Sequence, residues 1–196
     1  QYTRARAAFV HRDNRDAFET ARADAPLLGE LLVAGSETLE RRLEAQSLEL
    51  DTFPSHRDDA CIWLFSGGTT GHPKAVLQSH WSFAHTTSAY GQGVLGLTED
   101  DVTISVPKLF FGYATGTNLL FPFSVGAATV LFSERSEPAT LFDVIERYRP
   151  TILTSVPTMI NGMLNLAERD ARPRDLSSLR LVLSAGEALP PELYRR

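Results

Sequence analysis

The chain has 196 residues, 43% hydrophobic and 22% charged, with 19 Lys plus Arg against 24 Asp plus Glu and a formal net charge of −5. That composition belongs to a globular chain long enough to bury a core, so a disordered segment and a small disulfide scaffold are both excluded. The mild acidity offers no footprint for nucleic acid or an anionic membrane, no apolar run is long enough to span a bilayer, and a single cysteine, Cys61, rules out an internal disulfide and fits a reducing, cytoplasmic compartment.

The opening Gln1-Tyr2-Thr3-Arg4 has neither a signal-peptide pattern nor a methionine. Residues 7–10 read as a strand, followed by a helix through residue 22. Residues 31–33 form another short strand, ended by Gly35, and Ser36 is placed to cap a helix carrying Leu39, Leu43 and Ala45 inward. The stretch 50–58, with Phe53-Pro54-Ser55-His56, reads as a connector, so that a partial subdomain 1–57 precedes a core portion 58–196. Residues 61–65 have the composition of a buried strand, with Cys61 as an inert buried thiol. Residues 75–77 resume a strand and 81–90 a helix. Residues 102–106 are β-branched and strand-like, and 128–132 form another strand. A helix over 141–148 ends before Pro150, 151–156 is a strand, 158–168 a helix, and 179–183 the last strand. Strand–helix–strand units with short connections imply right-handed crossovers and an α/β fold with a largely parallel sheet. At the far end Pro190-Pro191-Glu192 opens a helix that stops at Arg196. So short a helix is unstable alone because nucleation is costly, and the pattern is expected of a truncated chain. No internal repeat is visible.

The most informative segment is Phe65-Ser66-Gly67-Gly68-Thr69-Thr70-Gly71-His72-Pro73-Lys74. Its glycines let main-chain N–H groups approach a ligand closely, Thr69 and Thr70 add hydroxyl donors, and Lys74 adds a mobile positive charge. Such a set suits a polyphosphate, which needs several donors at once. The spacing is neither that of Gly-x-x-x-x-Gly-Lys-Thr nor that of a dinucleotide fingerprint. A cluster of Phe110, Phe111 and Tyr113 around Gly112 suits a flat apolar ring, although ordinary core packing accounts for it equally well. Ser184-Ala185-Gly186-Glu187 follows a predicted parallel strand, beyond whose carboxyl end ligands bind in open sheets. The plainer reading is a strand-to-helix turn with Glu187 in the first helical turn.

Other residues read as structural. Asp58-Asp59 and Asp100-Asp101 are expected to be exposed turn acids rather than metal ligands. His72 and His80 make no pair on one helical face, and His85 has no carboxylate nearby in sequence. Ser66, His80 and Asp58 lack the Gly-x-Ser-x-Gly elbow of a hydrolase. Ser155-Val156-Pro157-Thr158 is accounted for by helix capping.

The glycine-rich segment resembles the phosphate-loop signature of the adenylate-forming enzymes, the superfamily of acyl-CoA synthetases, luciferases and peptide-synthetase adenylation domains. Their usual form is Tyr-Thr-Ser-Gly-Thr-Thr-Gly-x-Pro-Lys-Gly. Here Gly67 replaces the serine and Ala75 the closing glycine, while Thr69, Thr70, Gly71 and Lys74 are kept. Lys108-Leu109-Phe110-Phe111-Gly112-Tyr113 resembles the aryl-acid segment of the benzoate–CoA ligase branch, and Leu183-Ser184-Ala185-Gly186-Glu187-Ala188-Leu189-Pro190 the adenine-contacting turn. Order and spacing agree with the family from Ala60 to Arg196, and residues 1–57 are only compatible with it.

The resemblance implies a fold of partly parallel layered sheets with flanking helices, part of the family's large N-terminal domain. It implies ATP-dependent activation of a small aromatic carboxylate, benzoate-like, through an acyl-adenylate to a CoA thioester. ATP, Mg2+ and coenzyme A would take part. Ser66, Gly67, Gly68, Thr69, Thr70, Gly71 and Lys74 would hold the phosphates, with Lys74 also catalytic. Gly186, Glu187 and Ala188 would meet the adenine, and Gly112 and Tyr113 the aryl ring, leaving Phe110 or Phe111 as core. No metal ligand is expected within this sequence. The family's Tyr-Gly-x-Thr-Glu motif, its ribose-binding aspartate and its mobile C-terminal domain are absent from it, so the 196 residues alone are expected to be inactive and to expose apolar surface. The alternatives are a non-catalytic nucleotide-binding module, or adenylation of another acid for a carrier-protein thiol.

Overall fold

The computed structural model describes residues 3–66, 74–170 and 172–196. They fall into two units, Gln1–Ser55 and His56–Arg196. In the first, β1 (Ala7–Val10) and β2 (Glu30–Val33) form a parallel pair, with Ala7 opposite Glu30 and Val10 opposite Val33. Two short helices belong with them, α1 (Arg15–Arg22) and α2 (Glu37–Glu44). Ser36 caps α2 through its Oγ, which accepts from the Leu39 N–H at 3.2 Å and satisfies one orphan donor of the first turn. Leu39 is buried, whereas Leu43 and Ala45 lie on the surface, against the sequence expectation. The buried apolar residues described in this unit are Val10 and Leu39, a core too small to admit a second turn of α2.

The second unit opens on an antiparallel hairpin of β3 (Ala60–Ser66) and β4 (Lys74–Ser79), with Trp63 opposite Leu77 and Ser66 opposite Lys74. The sequence predicts β3 as a buried strand. Instead its side chains alternate, with Cys61, Trp63 and Phe65 on the surface and Ile62 and Leu64 half-buried. Successive side chains of a strand point to opposite faces, and this ribbon covers one face only. The Cys61 thiol is therefore accessible, not buried. Helix α3 (His80–Thr86) follows, capped by Ser79, and widens into a π-helical turn at Thr87–Gln92.

The core is a four-stranded, all-parallel sheet in the order β6–β5–β7–β8, built from β5 (Val102–Ser105), β6 (Ala128–Val130), β7 (Ile152–Ser155) and β8 (Leu181–Ser184). Between β5 and β6 runs a helical stretch that the sequence reading did not anticipate: α4 (Gly112–Thr115), a π-helical turn at Gly116–Leu120, and α5 (Phe121–Ser124). Helix α6 (Pro138–Tyr148) joins β6 to β7, α7 (Pro157–Arg169) joins β7 to β8, and α8 (Pro191–Arg195) follows β8. On one face of the sheet Ile104, Val106, Val130 and Leu153 pack with Leu141, Phe142 and Ile145 of α6 and Met163 of α7. On the other, Ile152 packs with Leu95, Leu97 and Phe121. Gly91 and Gly116, one from each π-helical turn, let both turns close on the Phe121 side chain. A Cβ on Gly91 would stand 2.8 Å from Phe121 Cγ, and one on Gly116 2.9 Å from its Cζ.

The amino ends of three neighbouring strands are fastened together by the residue that precedes each. Asp101, before β5, accepts from Thr151 Oγ1 before β7 at 2.6 Å and from Arg180 Nε and Nη2 before β8 at 2.8 and 2.6 Å. It also accepts from the Thr98 N–H at 3.0 Å. Far from an exposed turn acid, Asp101 is 3% exposed. The Arg180 hydrogen bonds, opposed by burial and helped by Thr151 and Thr98, hold its carboxyl far below the ordinary carboxylate range.

Candidate functional site at the carboxyl ends of the strands

The order β6–β5–β7–β8 sends the chain leaving β5 to one side of the sheet and the chain leaving β7 to the other. The carboxyl ends of these two central strands thus border the crevice where open α/β sheets bind ligands. Both ends carry the same tripeptide, Ser105-Val106-Pro107 and Ser155-Val156-Pro157, a short repetition that the search for longer repeats passes over. Proline stops each strand by withholding a donor. The Val106 N–H still reaches the Thr154 carbonyl at 2.8 Å, so the two ends leave the sheet side by side.

Beyond β5 comes the aromatic segment. Lys108 anchors it to the chain leaving β6: its ammonium donates to the Phe132 and Glu134 carbonyls, each at 2.9 Å, and lies 3.6 Å from the centre of the Phe132 ring. Burial lowers the Lys108 pKa, with Glu134 opposing. Phe110 and Phe111 pack together with centroids 4.6 Å apart and their ring planes tilted by 39°. They are 78% and 54% exposed, so neither is the core residue the sequence predicts. They occupy the turn ahead of α4, outside the sheet that makes the core. The space beside Gly112 is filled by Leu64 of β3, 2.8 Å from where a Cβ would sit. Tyr113 is half-buried, and its hydroxyl is buried without a partner among the described residues. Burial, with Tyr90 nearby, pushes its pKa up to about 12, so it stays a neutral donor at physiological pH.

Beyond β8 comes the turn that carries Gly186, Glu187 and Ala188. The Ala185 N–H continues the ladder to the Ser155 carbonyl at 3.4 Å. Gly186 then takes φ +85°, a left-handed conformation that costs a residue with a Cβ roughly 1–2 kcal/mol. Glu187 is not in a helical turn, since α8 begins only at Pro191. Its carboxylate accepts from Thr158 Oγ1 at 2.6 Å. The sequence reading assigns Ser155 to Thr158 to capping, but the N-cap of α7 is Val156 and no side chain caps it. Ser155 is fully buried, and Thr158 faces the turn after β8. Together Pro157, Thr158, Asn161, Glu187, Ala188 and Leu193 are among the residues lining a groove of about 330 Å³.

Of the phosphate-loop residues, Gly67, Gly68, Thr69, Thr70 and Gly71 lie outside the described residues. Ser66 ends β3 and Lys74 begins β4, opposite each other in the hairpin, with Lys74 exposed. Among the described residues no group of three His, Cys, Asp or Glu side chains is placed to hold a metal ion, and no helix is long and apolar enough to cross a membrane.

A family model described as AMP-binding enzyme matches residues 2–196. The benzoate–CoA ligase of Thauera aromatica is 39% identical over 195 residues, covering 98% of this chain and 37% of that ligase. The crystal structure of an anthranilate–CoA ligase in complex with anthranoyl-AMP superposes with a TM-score of 0.88 at 38% identity, over 98% of this chain and 37% of the other. That of a benzoate–CoA ligase from Burkholderia xenovorans LB400 gives 0.81 at 32% identity, over 96% of this chain and 37% of the other. The chain thus spans 37% of the length of each of these relatives.

Proposed function

The chain belongs to the AMP-binding enzyme family, and from that premise we propose that the protein activates a small aromatic carboxylate, benzoate first among the candidates, through an acyl-adenylate to its CoA thioester. The observation that carries the reading is the pair of segments leaving the carboxyl edge of one parallel sheet. One is aromatic after β5 and the other is a left-handed glycine turn after β8. The benzoate and anthranilate ligases it resembles support the choice of acid.

The first step joins two anions, a carboxylate and the α-phosphate of ATP, so catalysis is mostly positioning and charge neutralisation. In this reading Ser66, Gly67, Gly68, Thr69, Thr70 and Gly71 hold the phosphates, and Lys74 supplies a positive charge from the start of β4. Magnesium would share the phosphate charge. The left-handed Gly186 turn, with Glu187 and Ala188, offers its backbone to the adenine. Tyr113, a neutral hydroxyl on a half-buried ring, lines the aryl site with Gly112, whose missing side chain lets α4 start against Leu64. No arginine lies in residues 108–113, which suits an acid carboxylate aimed at ATP rather than clamped there.

The test is pyrophosphate release by the full-length protein with ATP and magnesium across a panel of aryl and alkyl acids, with and without CoA. Release is expected to require an aryl acid, to give a CoA thioester when CoA is present, and to fall about 100-fold in Lys74→Ala. ATP binding without release for any acid would instead mark a nucleotide-binding module.

A further inference from the structure

A purine-binding turn, as the turn after β8 is read, must be held still. Its neighbour is the β7–α7 connection, which meets it at three consecutive points. The Ser155 carbonyl accepts from the Ala185 N–H at 3.4 Å. Val156 Cγ1 is the neighbour that a side chain on Gly186 would meet, 3.8 Å from where a Cβ would sit. Thr158 Oγ1 donates to Glu187 Oε2 at 2.6 Å. The first is a stretched ladder bond and the second only a near neighbour. The third is short and its acceptor is a carboxyl group, which makes it the best-formed of the set. It also brings the carboxylate over the first turn of the 13-residue helix α7, whose N-cap offers no side chain. The helix dipole favours a negative charge there.

We propose that Thr158 is a positioning residue for nucleotide binding: by holding Glu187 it fixes the Gly186–Glu187–Ala188 turn in the shape that receives the adenine. The inference rests on the reading of that turn as the adenine contact. In this reading Thr158 acts through Glu187 and not by touching the phosphates or the acid. Its effect is confined to the part of the affinity that the base contributes. Without the hydroxyl, Glu187 loses this partner and, among the described residues, the turn keeps the stretched ladder bond at Ala185.

The experiment compares ATP with tripolyphosphate, which has the phosphates and no base, as ligands of the full-length protein and its Thr158→Val and Thr158→Ser variants, each first shown to be folded by circular dichroism. ATP is expected to bind the parent protein more tightly than tripolyphosphate. Thr158→Val should weaken ATP about three- to tenfold, leave tripolyphosphate unchanged, and raise KM for ATP with little change in KM for the acid. Thr158→Ser, which keeps the hydroxyl, should restore the parent behaviour. Unchanged ATP binding in Thr158→Val overturns the proposal while the adenine reading stands. So does an equal loss for both ligands, or failure of the serine variant to rescue. If the parent protein binds ATP no better than tripolyphosphate, the adenine reading itself fails and takes the proposal with it.

Discussion

Asp101 shows how much a single buried carboxylate can organise. Its oxygens collect donors from the residues that open β7 and β8 and from Thr98. Replacing it by asparagine keeps the shape and loses the charge. Because Arg180 is 42% exposed and can rehydrate, Asp101→Asn is expected to cost about 2 kcal/mol at neutral pH rather than the 3–5 kcal/mol of a fully buried pair. The pH dependence has a definite sign. The folded-state pKa is depressed, so the stabilisation is fully present above the unfolded value of about 4 and is lost as pH falls below it. Urea midpoints of parent and variant should therefore converge in acid, and a constant gap between pH 7 and 3 would contradict this account. Nothing near Asp101 in sequence announces the role. Its side-chain partners lie 50 and 79 residues away, so composition places it in a turn and only the parallel register brings the three strand starts together. Thr158 and Glu187, 29 residues apart, escape sequence reading for the same reason.

At the scale of elements, what the sequence declares most openly is the parallel sheet. Its strands are short runs such as Val102-Thr103-Ile104-Ser105, and proline or glycine punctuates the connections. The stretch from Gly112 to Ser124 declares itself least. Glycines at 112 and 116 and proline at 122 argue against a helix, and a π-helical turn has no 3.6-residue period to detect. It forms because tertiary packing overrides propensity, with Phe121 clamped between Gly91 and Gly116. On Gly91 a new Cβ would strike Phe121 at Cγ and Cβ, atoms that cannot swing aside, while on Gly116 it would meet the ring at Cζ. Gly91→Ala should therefore lower stability by about 2 kcal/mol and more than Gly116→Ala, with a Phe121→Leu background relieving the latter, since leucine keeps Cβ and Cγ but has no Cζ. Thermal unfolding of the parent, the two glycine variants, Phe121→Leu and its double variant with Gly116→Ala checks the order, and equal losses in both glycine variants would contradict it. The hairpin β3–β4 errs in the other direction. Its apolar composition reads as burial, yet Trp63, Phe65, Val76 and Leu77 are each at least 40% exposed, because strand composition does not say how many faces of a ribbon are covered.

Over the whole second unit, the two ends of the parallel strands have divided labour. The amino ends hold the Asp101 clasp, and the carboxyl ends carry the aromatic segment and the Gly186 turn. Changes at the clasp should therefore move stability, and changes at the opposite end should move ligand binding. The candidate site was legible in sequence as motifs, because turn glycines and aromatic clusters are local features. The ties that hold those motifs, Lys108 to the chain after β6 and Thr158 to Glu187, were not. The central claim is that this protein joins an aryl carboxylate to AMP. The most direct measurement incubates the full-length protein with ATP, magnesium and benzoate, omits CoA, and examines the quenched mixture by mass spectrometry. The account predicts benzoyl-adenylate in amounts comparable to the enzyme, discharged to benzoyl-CoA when CoA is added. ATP bound and recovered intact, with no adenylate from benzoate or its hydroxy and amino derivatives, would contradict it.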